Sequence, residues 1–308
     1  MMSDWDYKKV LLVGETVLDI IQKVEEYPQE DADIRSNHGW WQRGGNASNN
    51  ATVITLLGGK CEILSTFSTA EMFKFVINDL DERGIDHKNC VFYDKCEVPL
   101  STIWISEATG SRTIVHSNPN LPHMGFDGFD KCNLDEYKWI HFEVGWGRNP
   151  HEFKKMMEKT RKYNPRIKIS VELEKLRGDD LYLVENVDYV FLGKTFAKFV
   201  GCTNKRDAVY HLKKLVGEEK KFTVICPWDT DGVAVLDVEN NFYSCSSYPP
   251  EKVVDTLGAG DTFCGATIYA LNNGKKIQEA IEFGSKIAGL KVGFYGYDVI
   301  KEECQRFL

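Results

Sequence analysis

Short apolar runs alternate with segments of helical period along most of the chain, and this alternation restricts the fold more than any other feature. KVLLVG reads as a strand, NASNNATVITLLGG as a helix closed by glycine and KCEILST as a second strand, which together make one βαβ unit. The helix EMFKFVINDLDERG follows. Further on come the strand KWIHFEV, the helix HEFKKMMEKTRKYN, the strands RIKISVEL and VDYVFLG, the helix KRDAVYHLKKLVGE and the strand KFTVIC. Strands this short, apolar on both faces and separated by helices, predict a mostly parallel sheet with right-handed crossovers and helices on both sides. The expected fold class is therefore α/β, a three-layer α/β/α sandwich. At 308 residues, 43% of them hydrophobic, the chain has enough apolar surface for such a body.

Two segments break the rhythm. STIWISEATGSRTIVHS alternates with period two on either side of EATG, as a β-hairpin does. TVLDIIQKVEEYPQEDADIRSNHGWWQRGG is extended, with a proline turn and no helix caps. Together, over about 16–43 and 99–118, they are expected to form a small β-sheet lid inserted into one domain spanning 1–308. A sheet carrying Trp40, Trp41, Ile103 and Trp104 has to cover its apolar face on its own body or on a second copy, so a homodimer through the lid is expected. ENNF, between GVAVLDV and YSCSSY, marks another hairpin at a sheet edge.

Charge and cysteine usage exclude several classes. With 46 acidic against 38 basic residues, the net charge of -8 gives no general attraction for nucleic acid or anionic lipid. An anionic ligand has to be held by local groups. No run of about 18 apolar residues occurs and the N-terminus is polar, which predicts a cytoplasmic protein with no membrane partner. Nine cysteines, odd in number and without a C-x-x-C pair, suit reduced thiols. Cys264, His116 and His141 read as core or edge residues. Walker, dinucleotide-binding and zincin motifs do not occur.

In VVDTLGAGDTFCGATIYALNNG, the apolar positions Phe263, Ile268 and Leu271 keep helical spacing and Gly274 ends it, which puts Gly258 to Asp261 at a helix N-terminus. Backbone N–H groups left unpaired there, with the helix dipole, can cradle a phosphate that approaches the side-chain-free Gly258 and Gly260. The same dipole is expected to keep Asp261 ionised, ready to accept a proton from a hydroxyl. A glycine turn with a capping acid has the same local pattern, so both readings stay open on this stretch alone. WQRGGNASNN puts a glycine pair and three asparagines where an extended segment meets a helix. Asn46 and Asn49, nearly one turn apart, would grip vicinal hydroxyls of a polyol, with Asp19 as a further acceptor beyond the first strand. Simple capping is the alternative.

RGGNASNN and DTLGAGDTFCGA resemble the two signatures of the ribokinase-like (PfkB) sugar kinases, and the element order from Val10 to Asp298 follows that family. YPQEDADIR, GSRTIVH, KWIHFE and SVELEK look closest to its ketohexose-phosphorylating branch. The resemblance implies an ATP-dependent kinase acting on the 1-hydroxyl of fructose, with Mg²⁺ and K⁺ as cofactors. By that likeness Asp261 is the base, and Gly258, Ala259 and Gly260 form the anion hole that also meets ATP. Asp19, Gly45, Asn46 and Asn49 hold the sugar, and Asp31 reaches the pocket of the opposite protomer. Arg112 and Lys194 contact ATP phosphates, Asp229, Thr230, Asp231 and Gly232 line the nucleotide site, and Asp255 joins a K⁺ site. One departure stands out. The Asn-x-x-Glu motif of many relatives is missing from FLGKTFAKFVG, and Glu172 and Glu174 read either as water-mediated metal contacts or as edge carboxylates. A kinase for another sugar or a nucleoside, and a non-catalytic sugar-binding regulator, are the rival readings.

Overall fold

The computed structural model describes residues 4–145, 148–174 and 178–307. The chain enters through β1 (Lys9–Val13), then forms β2 (Val17–Val24) and β3 (His38–Gly44) before the first long helix, α1 (Asn46–Leu56). β4 (Cys61–Leu64), β5 (Thr66–Ser68), α2 (Lys74–Arg83), β6 (Val91–Tyr93), β7 (Leu100–Ser106) and β8 (Arg112–Ser117) follow. The second half runs α3 (Phe126–Asp130), β9 (Tyr137–Val144), α4 (Pro150–Tyr163), β10 (Lys168–Leu173), β11 (Tyr189–Leu192), α5 (Lys194–Phe199), α6 (Lys205–Val216), β12 (Thr223–Pro227), β13 (Val233–Leu236) and β14 (Phe242–Cys245). It closes with α7 (Ala259–Asn272), α8 (Ile277–Val292) and α9 (Val299–Glu303).

Eight strands form the main sheet in the order β14-β13-β12-β11-β10-β9-β1-β4, parallel except for the β12–β13–β14 hairpins at one edge. Strand alternation divides the core between its two faces. Leu11 and Val13 of β1 join Phe153, Met156 and Met157 of α4 and Val209 and Leu212 of α6 on one side. Val10 and Leu12 join Ala51 and Ile54 of α1 and Phe263 and Ile268 of α7 on the other. This is the expected three-layer arrangement. The ENNF hairpin lies at the sheet edge, as its turn chemistry predicts. The parallel pair β5–β6 escaped the periodicity reading because three residues per strand are too few to show a period.

A separate four-stranded sheet, in the order β3-β2-β7-β8, is formed by the two segments expected to make the lid and takes that name. Register puts Asp19, Ile21, Trp40, Ser101, Ile103 and Arg112 on one face and Ile20, Trp41, Thr102 and Val115 on the other. The first face turns to the body: Ile21, Ile103 and Ile105 pack on Leu257, and Trp40 meets Tyr295 edge-on with ring centroids 6.0 Å apart. On the second face Val115 is 55% exposed, and Trp41, 45% exposed, meets Phe75 of α2 edge-on with ring centroids 5.7 Å apart, so the outer apolar surface left open is Val115 and the free part of Trp41.

Candidate active site

The parallel strands release their chain toward one end of the sheet, and the site residues collect there. α7 opens at Gly258, in the left-handed region with φ of 72°, and a Cβ on that residue would lie 1.9 Å from the Tyr297 hydroxyl. Only glycine fits. The Ala259 N–H turns back to the Thr256 carbonyl (3.3 Å), whereas the amides of Gly260 and Asp261 have no backbone acceptor among the described residues. Space beside Gly260 is open. Two free amides, a helix N-terminus and an open approach make a cradle for an anion.

Asp261, in the first turn of α7, is buried and accepts a hydrogen bond from Asn49 Nδ2 at 2.6 Å. That contact joins two motifs 212 residues apart. The expected dipole-driven ionisation gives way to burial. Desolvation, reinforced by the charges of Glu174 and Glu143, pushes the Asp261 carboxyl up to about 7, against the opposing pull of Asn49 and Arg112. A base near neutrality suits proton transfer better than a strongly acidic one.

Asn46 and Asn49 part company. Asn46 sits at the start of α1, after Gly45 with φ of 95°, and its Nδ2 turns to Glu174 Oε2 (3.1 Å) and more weakly to Glu172 Oε1 (3.4 Å). The edge reading of these two carboxylates therefore fails. Glu172 Oε2 is shut off from solvent with no partner in the protein, and burial, then the charges of Asp261 and Glu174, raise its carboxyl well above the ordinary range. Among the described residues no group of three or more His, Cys, Asp or Glu is placed to ligate a metal ion directly.

On the lid side, Asp19 is buried where Ser101 and Arg43 face it, and desolvation outweighs both to raise its carboxyl to about 7. Arg112, at the start of β8, donates from Nη1 to Thr256 Oγ1 at 3.1 Å, so the lid touches the loop that forms the cradle. Asp31 lies apart from all of these. It is exposed in the turn between β2 and β3 with φ of 63° and meets none of the other site residues within its own chain.

The residues expected from the sequence to line a nucleotide site lie beyond β11 and β12. Lys194 Nζ is 2.5 Å from Asp229 Oδ2, a largely exposed pair of the kind worth about 1 kcal/mol at most, so an incoming phosphate can compete for the ammonium. Thr230 and Asp231 present carbonyls that are held by Ser247 (2.6 Å) and by Lys205, and Gly232, with φ of 85°, closes the turn. Asp255 departs from expectation. Its carboxylate is taken by Lys291, with Nζ 2.5 Å from Oδ2, and by the amides of Leu257 (2.9 Å) and Gly296 (3.3 Å).

Sequence reasoning missed Glu143. This buried residue, at the end of β9, accepts the amides of Glu15 and Ala47 on Oε2, both at 3.0 Å, and pairs through Oε1 with Arg148 Nη2 at 2.9 Å. It ties the exit of β1 to the start of α1 and so positions Asn46 and Asn49. An acid near the end of KWIHFEV, a strand whose residues are mostly apolar, was the available signal. Cys264 and His141 keep their structural reading. Both are buried, their Sγ and Nε2 are 3.8 Å apart, and His141 Nδ1 lies 2.8 Å from Ser170 Oγ.

The signature of the pfkB family carbohydrate kinases matches residues 7–302. Mouse ketohexokinase is 38% identical over 300 residues, covering 95% of this chain and 99% of the mouse protein. Arabidopsis thaliana ribokinase complexed with ribose and ATP superimposes with a TM-score of 0.79 at 18% identity, over 97% of this chain and 98% of that one. Cryptococcus neoformans ribokinase in complex with ADP also gives 0.79, at 16% identity, over 98% and 100%. The fold is ribokinase-like.

Proposed function

Because the chain belongs to the pfkB family of carbohydrate kinases, we propose that it is a ketohexokinase, transferring the γ-phosphate of ATP to the 1-hydroxyl of fructose to give fructose 1-phosphate and ADP. The observation that carries this reading is the placement of Asp261: a buried carboxyl beside two free amides and held by Asn49, with desolvation pushing it above the ordinary carboxylate range. The choice of a ketohexose rests on the likeness to the mouse enzyme along nearly the whole chain.

In this mechanism the sugar lies under the lid, with Asp19, Asn49 and the backbone at Gly45 fixing its hydroxyls. Asp261 accepts the proton of the attacking hydroxyl as the oxygen closes on phosphorus. The Gly260 and Asp261 amides meet the charge on the transferring group, and Arg112, already at the cradle loop, adds a forked cation. Lys194 exchanges Asp229 for a phosphate. Glu172, Glu174 and Asn46 are the residues that would reach the hydration shell of Mg²⁺ carried on ATP, an ion that would supply neutralisation of phosphate charge. Little covalent work falls to the protein, so positioning and charge stabilisation supply most of the acceleration.

ADP release with Mg-ATP and a panel of fructose, tagatose, ribose, adenosine and no sugar tests the assignment. Fructose is expected to give the highest kcat/KM by about tenfold or more, because a site built for particular hydroxyls rejects analogues that leave its buried polar groups unpaired. Turnover led by ribose or adenosine would move the protein to another branch of the family. Silence on every sugar, with fructose still raising the melting temperature, would make it a binding protein.

The apolar outer face of the lid, with Trp41 and Val115 exposed, suits a second copy of the chain, and a homodimer formed there would bring Asp31 toward the partner's pocket. Sedimentation is expected to show a dimer that Val115→Asp converts to monomer. A wild-type monomer at micromolar concentration would end this part of the reading. No helix among the described residues is long and apolar enough to cross a membrane, and the nine free cysteines fit a reducing cytoplasm.

A further inference from the structure

Two loops meet behind the anion cradle, joined by a charge that no motif announces. Val254 and Asp255 both donate their amides to the Val292 carbonyl, at 2.9 and 3.1 Å. Next to Val292, Lys291 of α8 places Nζ 2.5 Å from Asp255 Oδ2 and 3.0 Å from the Asp255 carbonyl oxygen. Its side chain is fully buried and that of Asp255 nearly so, with 0% and 4% exposed. The ammonium also faces the Tyr297 ring, 5.5 Å from its centroid. Burial pulls the Lys291 ammonium down and the Asp255 charge supports it.

A carboxylate oxygen and a backbone carbonyl are what a monovalent cation would require of Asp255, and Lys291 already occupies both. A K⁺ ion added there would bring a second cation to one buried carboxylate, which the low-dielectric interior penalises. The residues present do not fit K⁺ at Asp255. We propose that Lys291 is a tethered cation standing in for K⁺ beside the anion cradle, so that phosphoryl transfer in this protein needs no added monovalent cation. Lys291, fully buried, has no exposed side-chain surface to offer sugar or nucleotide. It is a positioning residue that holds the 255–258 loop and keeps positive charge behind the cradle.

The inference rests on the kinase reading above, and its test includes a measurement that needs no turnover, so the two can fail separately. Fructose-dependent ADP release and melting temperature are measured in choline, Na⁺ and K⁺ chlorides at equal ionic strength. Wild-type turnover is expected to agree within about twofold across the salts, and its melting temperature is expected not to respond to K⁺. Lys291→Ala opens space beside Asp255. In choline it is expected to lose about tenfold to a hundredfold in kcat, the scale of a weakened oxyanion site, and to recover part of that in K⁺ or ammonium with a K⁺-specific rise in melting temperature. Wild-type turnover rising about tenfold or more with K⁺, or a K⁺-specific rise in its melting temperature, would overturn the proposal. So would a folded Lys291→Ala protein equally impaired in every salt, since the lysine would then be purely structural. Should the variant not fold, the wild-type salt series decides alone.

Discussion

Asp261→Asn is expected to lower kcat by about three orders of magnitude while fructose binding falls only a few-fold, because the substitution removes a general base and keeps the shape of the side chain. Asn retains an oxygen that can accept from Asn49, so the contact joining α1 to α7 survives. In the wild type, kcat/KM is expected to fall as pH drops below about 7, since the raised Asp261 carboxyl is then protonated and cannot take the hydroxyl proton. The stability effect has the opposite sense. A carboxyl whose pKa is higher folded than unfolded stabilises the fold at low pH, and that contribution is lost as pH rises through about 7. Asp261→Asn is therefore expected to raise the melting temperature of the ligand-free protein more at pH 8 than at pH 5. ADP release and thermal melts at both pH values check all three points. Turnover within tenfold of the wild type at neutral pH would remove Asp261 from the role of base.

Glu143→Gln should produce the largest loss of stability of any conservative change at the site. The glutamine keeps the outline but deletes the charge, leaving Arg148, 5% exposed, with Glu15 at 3.2 Å as its one remaining carboxylate partner among the described residues. Breaking a buried ion pair from one side costs about 3–5 kcal/mol, which for a chain of this size is a fall of about 5–8 °C in melting temperature. The amides of Glu15 and Ala47 also exchange a carboxylate acceptor for a neutral one. Because Ala47 lies in the first turn of α1, KM for the sugar is expected to rise more than kcat falls. A melt within about 2 °C of the wild type would show that Arg148 is balanced without Glu143.

Several parts of this protein were legible in the sequence because they are encoded locally. The strand-helix alternation produced the three layers, the period-two runs produced the lid strands, and glycines followed by Asp261 marked the start of α7. The order of the two motifs, on segments that leave the same end of a parallel sheet, was enough to bring them together. The lid was legible as a sheet, yet which of its faces meets the body depends on register. Asp19 and Arg112 point inward only because β2 pairs with β3 and β7, and β7 with β8, in the observed alignment.

What only the tertiary structure decided concerns charge. The helix dipole argued that Asp261 would be ionised, but desolvation and the Glu174 and Glu143 carboxylates, all brought from distant segments, outweigh it. Asn46 looked like a sugar ligand and turns to Glu174 and Glu172. Asp255 looked like a site for a free cation and is held by Lys291, which lies 36 residues later on α8. Periodicity and turn chemistry are short-range properties that a chain carries along its length. The protonation and pairing of buried groups depend on which distant charges the fold brings into a low-dielectric space, and no local pattern records that.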